Sequence, residues 1–244
     1  MSSESAFETI RLPTVPEIEA ATERLSMSDA YDQVFRVGER FAGETMKFLE
    51  EHQVPVPQVH AAFEDPNSKK TYIIMDHVPG DTLESLLPSL NPSEKATICK
   101  LIKDAMSKLR NNNPKISGPF TNQEDLNLAI IERMSQIEKE QYIRLLRPMI
   151  DQTLRGHRPV FTHGDLQPKN IMVERLGVRD GCPEFNITLL VREGAGWFPE
   201  YWEFCNATIA CRFKPDWLEL VPDILEQYSL EFLMMQVVYA SVFY

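Results

Sequence analysis

Three polar residues with the spacing of a catalytic loop occur in one short run of this 244-residue chain: His163, Asp165 and Asn170. A carboxylate in this arrangement can accept the proton of an attacking hydroxyl group, and an amide five residues later can bind a magnesium ion that neutralises phosphate charge. A histidine two residues before the carboxylate can orient the loop or act as an acid or base. The spacing therefore indicates phosphoryl transfer to a hydroxyl group, with Asp165 as the base and Asn170 as a metal ligand.

The run lies between two segments that favour β-structure. Pro159–Thr162 precedes it and Ile171–Val173 follows it, and both are mainly apolar. A loop between two strands can present polar side chains to a cleft. The alternative is a turn on an ordinary hairpin, because motifs this short also recur by accident.

Four blocks give the chain a resemblance to a known family over most of its length. They are Val54–Val59, Tyr72–Leu83, Phe161–Val173 and Ala195–Glu203. With these blocks the chain resembles the aminoglycoside phosphotransferase and choline kinase family of the protein-kinase-like superfamily, particularly its fungal-type members. The resemblance implies a two-lobed α+β protein-kinase-like fold, with a reduced small β lobe at residues 1–77 and a mainly helical large lobe at residues 78–244.

The second block predicts the segment that joins the two lobes. Tyr72–Met75 reads as a buried strand that breaks at Pro79-Gly80. The residues between them, Asp76, His77 and Val78, would form a hinge whose backbone could hydrogen-bond an adenine edge. The alternative is a plain strand and turn.

The small lobe departs from the family pattern. A segment like Val34–Phe41 normally continues into a strand with a phosphate-binding lysine, followed by a helix with a glutamate that orients it. Here Phe41-Ala42 joins directly to Gly43-Glu44, so about one strand and its turn are missing. Arg36 is a conceivable substitute for the lysine and Glu44 could pair with it, although a guanidinium does not hold phosphates as an ammonium does. A splicing or gene-model artefact is the other explanation of the missing strand.

A second departure affects the metal. The family pattern before Ala195-Gly196-Trp197 contains a magnesium-binding aspartate, and this chain has Val191 in its place. Magnesium requires oxygen ligands, which valine lacks. Glu193 could project to the same side of an extended segment and bind the ion. The alternative is a structural or solvent-exposed carboxylate.

Three functions follow from this combination of retained and lost groups. The first is a pseudokinase-like protein, impaired or inactive in phosphotransfer, that could scaffold a protein partner. The second is an active small-molecule phosphotransferase that uses ATP and Mg²⁺. The third is a repurposed, metal-independent enzyme with Asp165 or His163 as the acid or base. Each well-placed charge is worth about 3 kcal/mol in such a transition state, so three losses favour the first and third functions.

Composition limits the partners. The net charge of −11 opposes binding to nucleic acid and to anionic membranes, which leaves a small molecule or a protein as the partner. The four cysteines lack metal-site spacing and no signal peptide opens the chain, so free thiols and a cytoplasmic location are expected. The apolar tail Val237–Tyr244 is too short to span a bilayer and reads as the end of a packed helix.

Helical periodicity completes the prediction. Asn91-Pro92-Ser93-Glu94 is a helix-start signal in which Asn91 caps and Glu94 occupies the third helical position. Further helices are predicted at Gly43–His52, within Leu126–Leu146 and within Trp217–Tyr244.

Overall fold

A computed structural model describes residues 16, 49–67, 69, 71–111, 120, 122–179, 181–190 and 194–243. Of the predicted helix at Gly43–His52, residues 49–52 are described; 49–51 are helical and His52 lies in the turn that follows. The small-lobe residues Arg36 and Glu44 lie outside the described residues, as do Val191 and Glu193.

Seven strands form three antiparallel sheets in the described part of the chain. They are β1 (Val59–Glu64), β2 (Thr71–Met75), β3 (Asp81–Thr82), β4 (Pro159–Thr162), β5 (Ile171–Arg179), β6 (Cys182–Leu189) and β7 (Gly196–Pro199). Strand β1 pairs with β2, β4 pairs with β7, and β5 lies between β3 and β6. The predicted strand at Tyr72–Met75 is confirmed, although its residues are half-buried and Met75 is exposed rather than buried.

Seven α-helices follow β2 in the described residues. They are α1 (Leu83–Leu86), α2 (Pro92–Arg110), α3 (Gln123–Ser135), α4 (Glu140–Thr153), α5 (Trp202–Ile209), α6 (Pro215–Ile224) and α7 (Ser229–Phe243). Two short 3-10 helices, Leu87–Ser89 and Pro168–Asn170, follow α1 and precede β5. The predicted helical segments at 126–146 and 217–244 each resolve into two helices, so the predicted α+β class with a mainly helical larger part is confirmed.

Helix α2 begins where the sequence predicts it. The Asn91 side chain accepts hydrogen bonds from the backbone N–H groups of Ser93 and Glu94, and the Glu94 carboxylate accepts one from the Asn91 N–H. Pro92 occupies the first turn, where its missing N–H costs nothing. This reciprocal cap satisfies helix N–H groups that would otherwise lack acceptors.

One hydrophobic core joins the helices to the strands. Trp217 and Tyr201 are its largest fully buried side chains. Strand β4 contributes Phe161, which packs edge-on against Trp197 of β7 at 5.5 Å between ring centroids. The run from Phe161 to Asn170 therefore begins on one buried strand and ends just before another, because Ile171 and Val173 of β5 are also buried.

The β5–β6 hairpin extends further than the sequence predicted. Only Ile171–Val173 was predicted as strand, whereas β5 continues to Arg179. The added residues pair with β6 and are largely exposed, so apolar periodicity could not reveal them. Arg175 holds this extension to the body of the fold, since its guanidinium lies over the Phe185 ring and hydrogen-bonds Glu94.

Cys99, Cys182, Cys205 and Cys211 are all free thiols. Among the helices of the described residues, none is long and apolar enough to cross a bilayer.

Candidate functional site

The loop between β4 and β5 brings the three predicted catalytic-type residues together. Gly164 has a φ of +75°, in the left-handed region that favours glycine, so the chain turns sharply between His163 and Asp165. The Asp165 N–H donates to Nδ1 of His163 at 3.3 Å, and the His163 side chain is fully buried. The 3-10 turn Pro168–Asn170 then returns the chain toward Asp165.

Asn170 is fixed by four hydrogen bonds and is fully buried. Its side-chain Nδ2 donates to the backbone oxygen of Asp165 at 2.8 Å and to the carboxylate Oδ2 of Asp165 at 2.7 Å. Its backbone N–H donates to Gln167, and its carbonyl accepts from the N–H of Leu190 at 2.8 Å. The side-chain Oδ1 has no hydrogen-bond partner among the described residues, so this oxygen is available to a cation.

Asp165 is half-buried, and each of its carboxylate oxygens already accepts an amide hydrogen. Asn170 bonds Oδ2, and the side-chain Nε2 of Gln167 bonds Oδ1. Two donors hold the carboxylate in one orientation, while a carboxylate has lone pairs left for a hydroxyl group. Gln167 was not predicted from the sequence, because a contact between residues two apart in a loop depends on the turn and has no periodic signal.

Glu203 anchors the loop from the start of α5. It is fully buried, and its Oε2 accepts hydrogen bonds from the backbone N–H groups of His163 and of Gly164, the second at 3.2 Å. A buried carboxylate that accepts backbone N–H groups forms charge-assisted bonds, which are stronger than neutral ones. In the sequence Glu203 appeared only as the last residue of the block Ala195–Glu203, and a charged residue among the apolar residues of a helix was the available signal.

A second connection joins the loop to the last helix. The Nδ2 of Asn206 donates to the Gly164 carbonyl at 3.4 Å, and the Tyr239 hydroxyl donates to Oδ1 of Asn206. Side chains of α5 thus bond both the N–H and the C=O of Gly164, and Tyr239 of α7 in turn bonds Asn206 of α5. The loop is held by its surroundings as well as by its own turns.

The segment that should contain the second metal ligand begins and ends against this loop. Leu190 bonds the Asn170 carbonyl, and a Cβ built on Gly164 would lie 1.9 Å from the carbonyl oxygen of Gly194. Only a glycine at 164 allows the two backbones to approach so closely. Residues 191–193 connect these two contacts and are outside the described part of the chain.

The predicted hinge residues lie at the end of β2. The Asp76 N–H donates to the carbonyl of Gln58 at 2.9 Å, and the Asp76 carboxylate is 2.6 Å from Nε2 of His60. His77 is exposed and Val78 is half-buried. The turn that follows packs on the strand after the loop, since a Cβ on Gly80 would lie 2.2 Å from the Val173 carbonyl oxygen. Residues 76–80 therefore connect β2 to the surface of β5, the strand that follows the loop.

The described residues supply one clear ligand for a magnesium ion. Oδ1 of Asn170 fits that role, but among the described residues no cluster of three His, Cys, Asp or Glu side chains could hold a metal. Magnesium in phosphate-transfer sites is usually bound through one or two carboxylates together with substrate phosphates and water. The Asp165 carboxylate is engaged by two amides, so a magnesium ion at this loop would need a further oxygen ligand.

Comparisons with solved structures agree with the observed fold. The chain is similar to an aminoglycoside-3'-phosphotransferase of type VIII, with 14% identity and a TM-score of 0.53 over 82% of this chain and 78% of the other. It is also similar to APH(3'')-Id from Streptomyces rimosus in complex with ADP and streptomycin, with 13% identity and a TM-score of 0.54 over 83% and 81%. A third similar structure, the GDP complex of aminoglycoside 2'-phosphotransferase-IIIa, has 17% identity and a TM-score of 0.52 over 82% and 72%.

The family comparison covers the loop between β4 and β5. A search of curated protein sequences found no match. A family model described as the phosphotransferase enzyme family matches residues 37–182, which is more than half of the chain and includes His163, Asp165 and Asn170. The chain therefore belongs to the phosphotransferase enzyme family and has the protein-kinase-like fold of aminoglycoside phosphotransferases.

Proposed function

We propose that this chain is a pseudokinase-like member of the family, impaired in ATP-dependent phosphotransfer. The proposal rests mainly on the identity of residue 191 and on the contacts of the residues that flank the segment 191–193. Both of its neighbours, Leu190 and Gly194, contact the catalytic-type loop, and its first residue is a valine. A valine side chain has no oxygen with which to bind a magnesium ion.

The energetic argument follows from the dependence of phosphoryl transfer on charge neutralisation. The reaction relies on positioning and on cations that stabilise the transferring group. Each preorganised charge or donor contributes about 3 kcal/mol to such a transition state, which is about two orders of magnitude in rate. The missing metal carboxylate alone is therefore sufficient to make the chain a poor kinase.

The small lobe contributes to the same conclusion. We place the boundary of a reduced small lobe at residue 77 and the helical lobe at 78–244, with Asp76, His77 and Val78 at the nucleotide side of the junction. Arg36 would occupy the place of the phosphate-binding lysine. A guanidinium differs from an ammonium in shape and hydration, so this exchange weakens phosphate binding.

An active small-molecule phosphotransferase is the second candidate, and one observation favours it. The Asp165 carboxylate and the Asn170 amide are held in contact, and Oδ1 of Asn170 is free of protein partners among the described residues. In that case Glu193 would complete the metal site, Arg36 would hold phosphates, and the cofactors would be ATP and Mg²⁺. The ligand would be a small molecule, and the free thiols suit a cytoplasmic location.

The experiment restores the missing oxygen. We expect Val191→Asp to give a magnesium-dependent increase of about tenfold or more in ATP affinity, measured by isothermal titration calorimetry with and without Mg²⁺. Val178→Asp is the matched control, because it adds the same charge to an exposed position of the β5–β6 hairpin. Equal magnesium dependence in the unmodified chain and in both variants would contradict the proposal.

A further inference from the structure

Helix α4 leaves three large side chains of apolar character in solvent. Tyr142, Leu145 and Met149 are 39%, 55% and 45% exposed, whereas Leu146 and Ile150 of the same helix are buried in the core. At about 100° of rotation per residue, the exposed side chains form one row, about a quarter turn around the helix from the buried ones. We call Tyr142, Leu145 and Met149 the apolar row. Apolar side chains grouped on a surface in this way mark a site of interaction.

The charges of α4 lie on the other flank of the helix. Glu140 pairs with Arg144, and Arg147 pairs with Asp151, each one turn along the chain. These four side chains lie about half a turn from the apolar row. The exposed residues beside the apolar row carry no charge, and in this fully described helix they are Gln141, Pro148 and Gln152. The surface of α4 is therefore divided into a charged side and an uncharged side.

This division favours a second copy of the chain as the occupant of the apolar row. Two copies with a net charge of −11 repel each other, so they can associate only where their touching surfaces lack charge. Helix α7 packs against α4, and its one acidic residue, Glu231, lies 3.0 Å from Nε2 of His157. A basic partner, which the net charge would attract, finds no carboxylate in the apolar row. The charges thus favour an uncharged, apolar helix face like that of α4 itself.

The apolar row is also complementary to its own reverse. Its residues are spaced by three and then four positions, so the row reads almost the same in both chain directions. In an antiparallel pair of α4 helices with a two-fold axis at Leu145, each Leu145 faces its copy. Tyr142 of each chain then faces Met149 of the other, and a thioether beside an aromatic ring is a favourable contact. A contact of this isologous kind closes after two copies.

We propose that the apolar row is the contact of a homodimer in which α4 packs antiparallel to α4 of a second copy. A helix of 14 residues is about 21 Å long and about 10 Å wide, so its face covers about 200 Å². Stable complexes bury about 800 Å² on each partner. The dimer is therefore weak and reversible, with a dissociation constant of about 10–100 µM. This inference goes beyond the proposed function and involves neither nucleotide nor metal, so each can fail without the other.

Sedimentation velocity of the full chain over a range of concentrations is the first test. We expect the monomer mass of 28.1 kDa at about 1 µM and a shift toward twice that mass at about 300 µM. Raising NaCl from about 0.1 M to about 0.5 M should strengthen the dimer severalfold, because salt screens the repulsion between two acidic copies and leaves an apolar contact intact. A monomer at every concentration, or a dimer that salt dissociates, would overturn the proposal.

Matched variants locate the contact. Leu145→Lys places two ammonium groups face to face on the axis and should weaken the dimer by about a hundredfold or more. Leu176→Lys is the control, because Leu176 is also 55% exposed but lies on the β5–β6 hairpin, and it should leave the dimer unchanged. Circular dichroism confirms that each variant is folded. Equal effects at the two positions, or dissociation by Leu233→Lys of α7 without dissociation by Leu145→Lys, would contradict a contact through α4.

Cysteine cross-linking tests the two-fold axis. Cys182→Ser removes the exposed thiol among the four cysteines and provides the background. In that background Leu145→Cys should form a covalent dimer under mild oxidation, because a disulfide requires Cα atoms within about 7 Å and position 145 meets its copy at the axis. Arg147→Cys, on the charged side of α4, should remain monomeric. Equal cross-linking at the two positions would refute the antiparallel arrangement.

Discussion

Replacing Glu203 tests whether a single buried carboxylate holds the catalytic-type loop in place. In Glu203→Ala the backbone N–H groups of His163 and Gly164 lose their acceptor. A buried donor without a partner costs about 1–3 kcal/mol, and truncation also leaves a cavity, so we expect a loss of about 3–5 kcal/mol in the free energy of unfolding. At about 2–4 °C per kcal/mol for a chain of this size, the melting temperature should fall by about 6–20 °C.

Matched variants separate the loop anchor from the general effect of losing a charge. Glu203→Gln keeps one acceptor oxygen and should lose only about 1–2 kcal/mol. Glu219→Ala, at an exposed position of α6, should change stability by less than about 0.5 kcal/mol. Urea denaturation gives the three values, and hydrogen exchange should show faster exchange of the His163 and Gly164 amides in Glu203→Ala. A loss below about 1 kcal/mol in Glu203→Ala, or equal losses in Ala and Gln, would refute the anchoring argument.

Further predictions concern the backbone and the thiols. Gly164→Ala should lower the melting temperature more than Gly156→Ala. Both glycines have a positive φ, but only at Gly164 would a Cβ lie 1.9 Å from a carbonyl oxygen, that of Gly194. Equal effects of the two substitutions would contradict this close approach. Cys182 alone should react with a thiol reagent before unfolding, since the other three cysteines are buried, and rapid labelling of more than one thiol would count against this arrangement. Burial raises the pKa of Cys99 and Cys211 from 9.0 to about 11. Between these values the unfolded chain releases protons that the folded chain retains, so each thiol should lower stability by up to about 1.4 kcal/mol per pH unit as the pH rises from 9 to 11; a flat profile in urea denaturation would exclude it.

Much of the fold could be predicted because its signals are local. The Asn91 cap depends on residues within one turn, and α2 begins where that signal predicts. The strands on either side of the loop were predicted from short apolar runs, and β4 and β5 confirm them. Family-specific blocks then supplied the topology that local periodicity cannot provide.

The supports of the site could not be predicted in the same way. Glu203 meets the loop 40 residues away in sequence, and Tyr239 supports Asn206 across 33 residues. Such contacts depend on how α5 and α7 pack, and no spacing in the sequence encodes them. The outer half of the β5–β6 hairpin could not be predicted either. Its strands are paired but exposed, so they lack the apolar pattern of a buried strand. The sequence thus identified the reactive groups more readily than the residues that position them.

Calorimetric titration of the unmodified, folded chain with ATP, with and without Mg²⁺, tests the central claim most directly. The absence of an aspartate at position 191 predicts that Mg²⁺ produces no increase in ATP affinity. Micromolar binding that requires Mg²⁺ would contradict the impaired metal site and would support the active phosphotransferase instead.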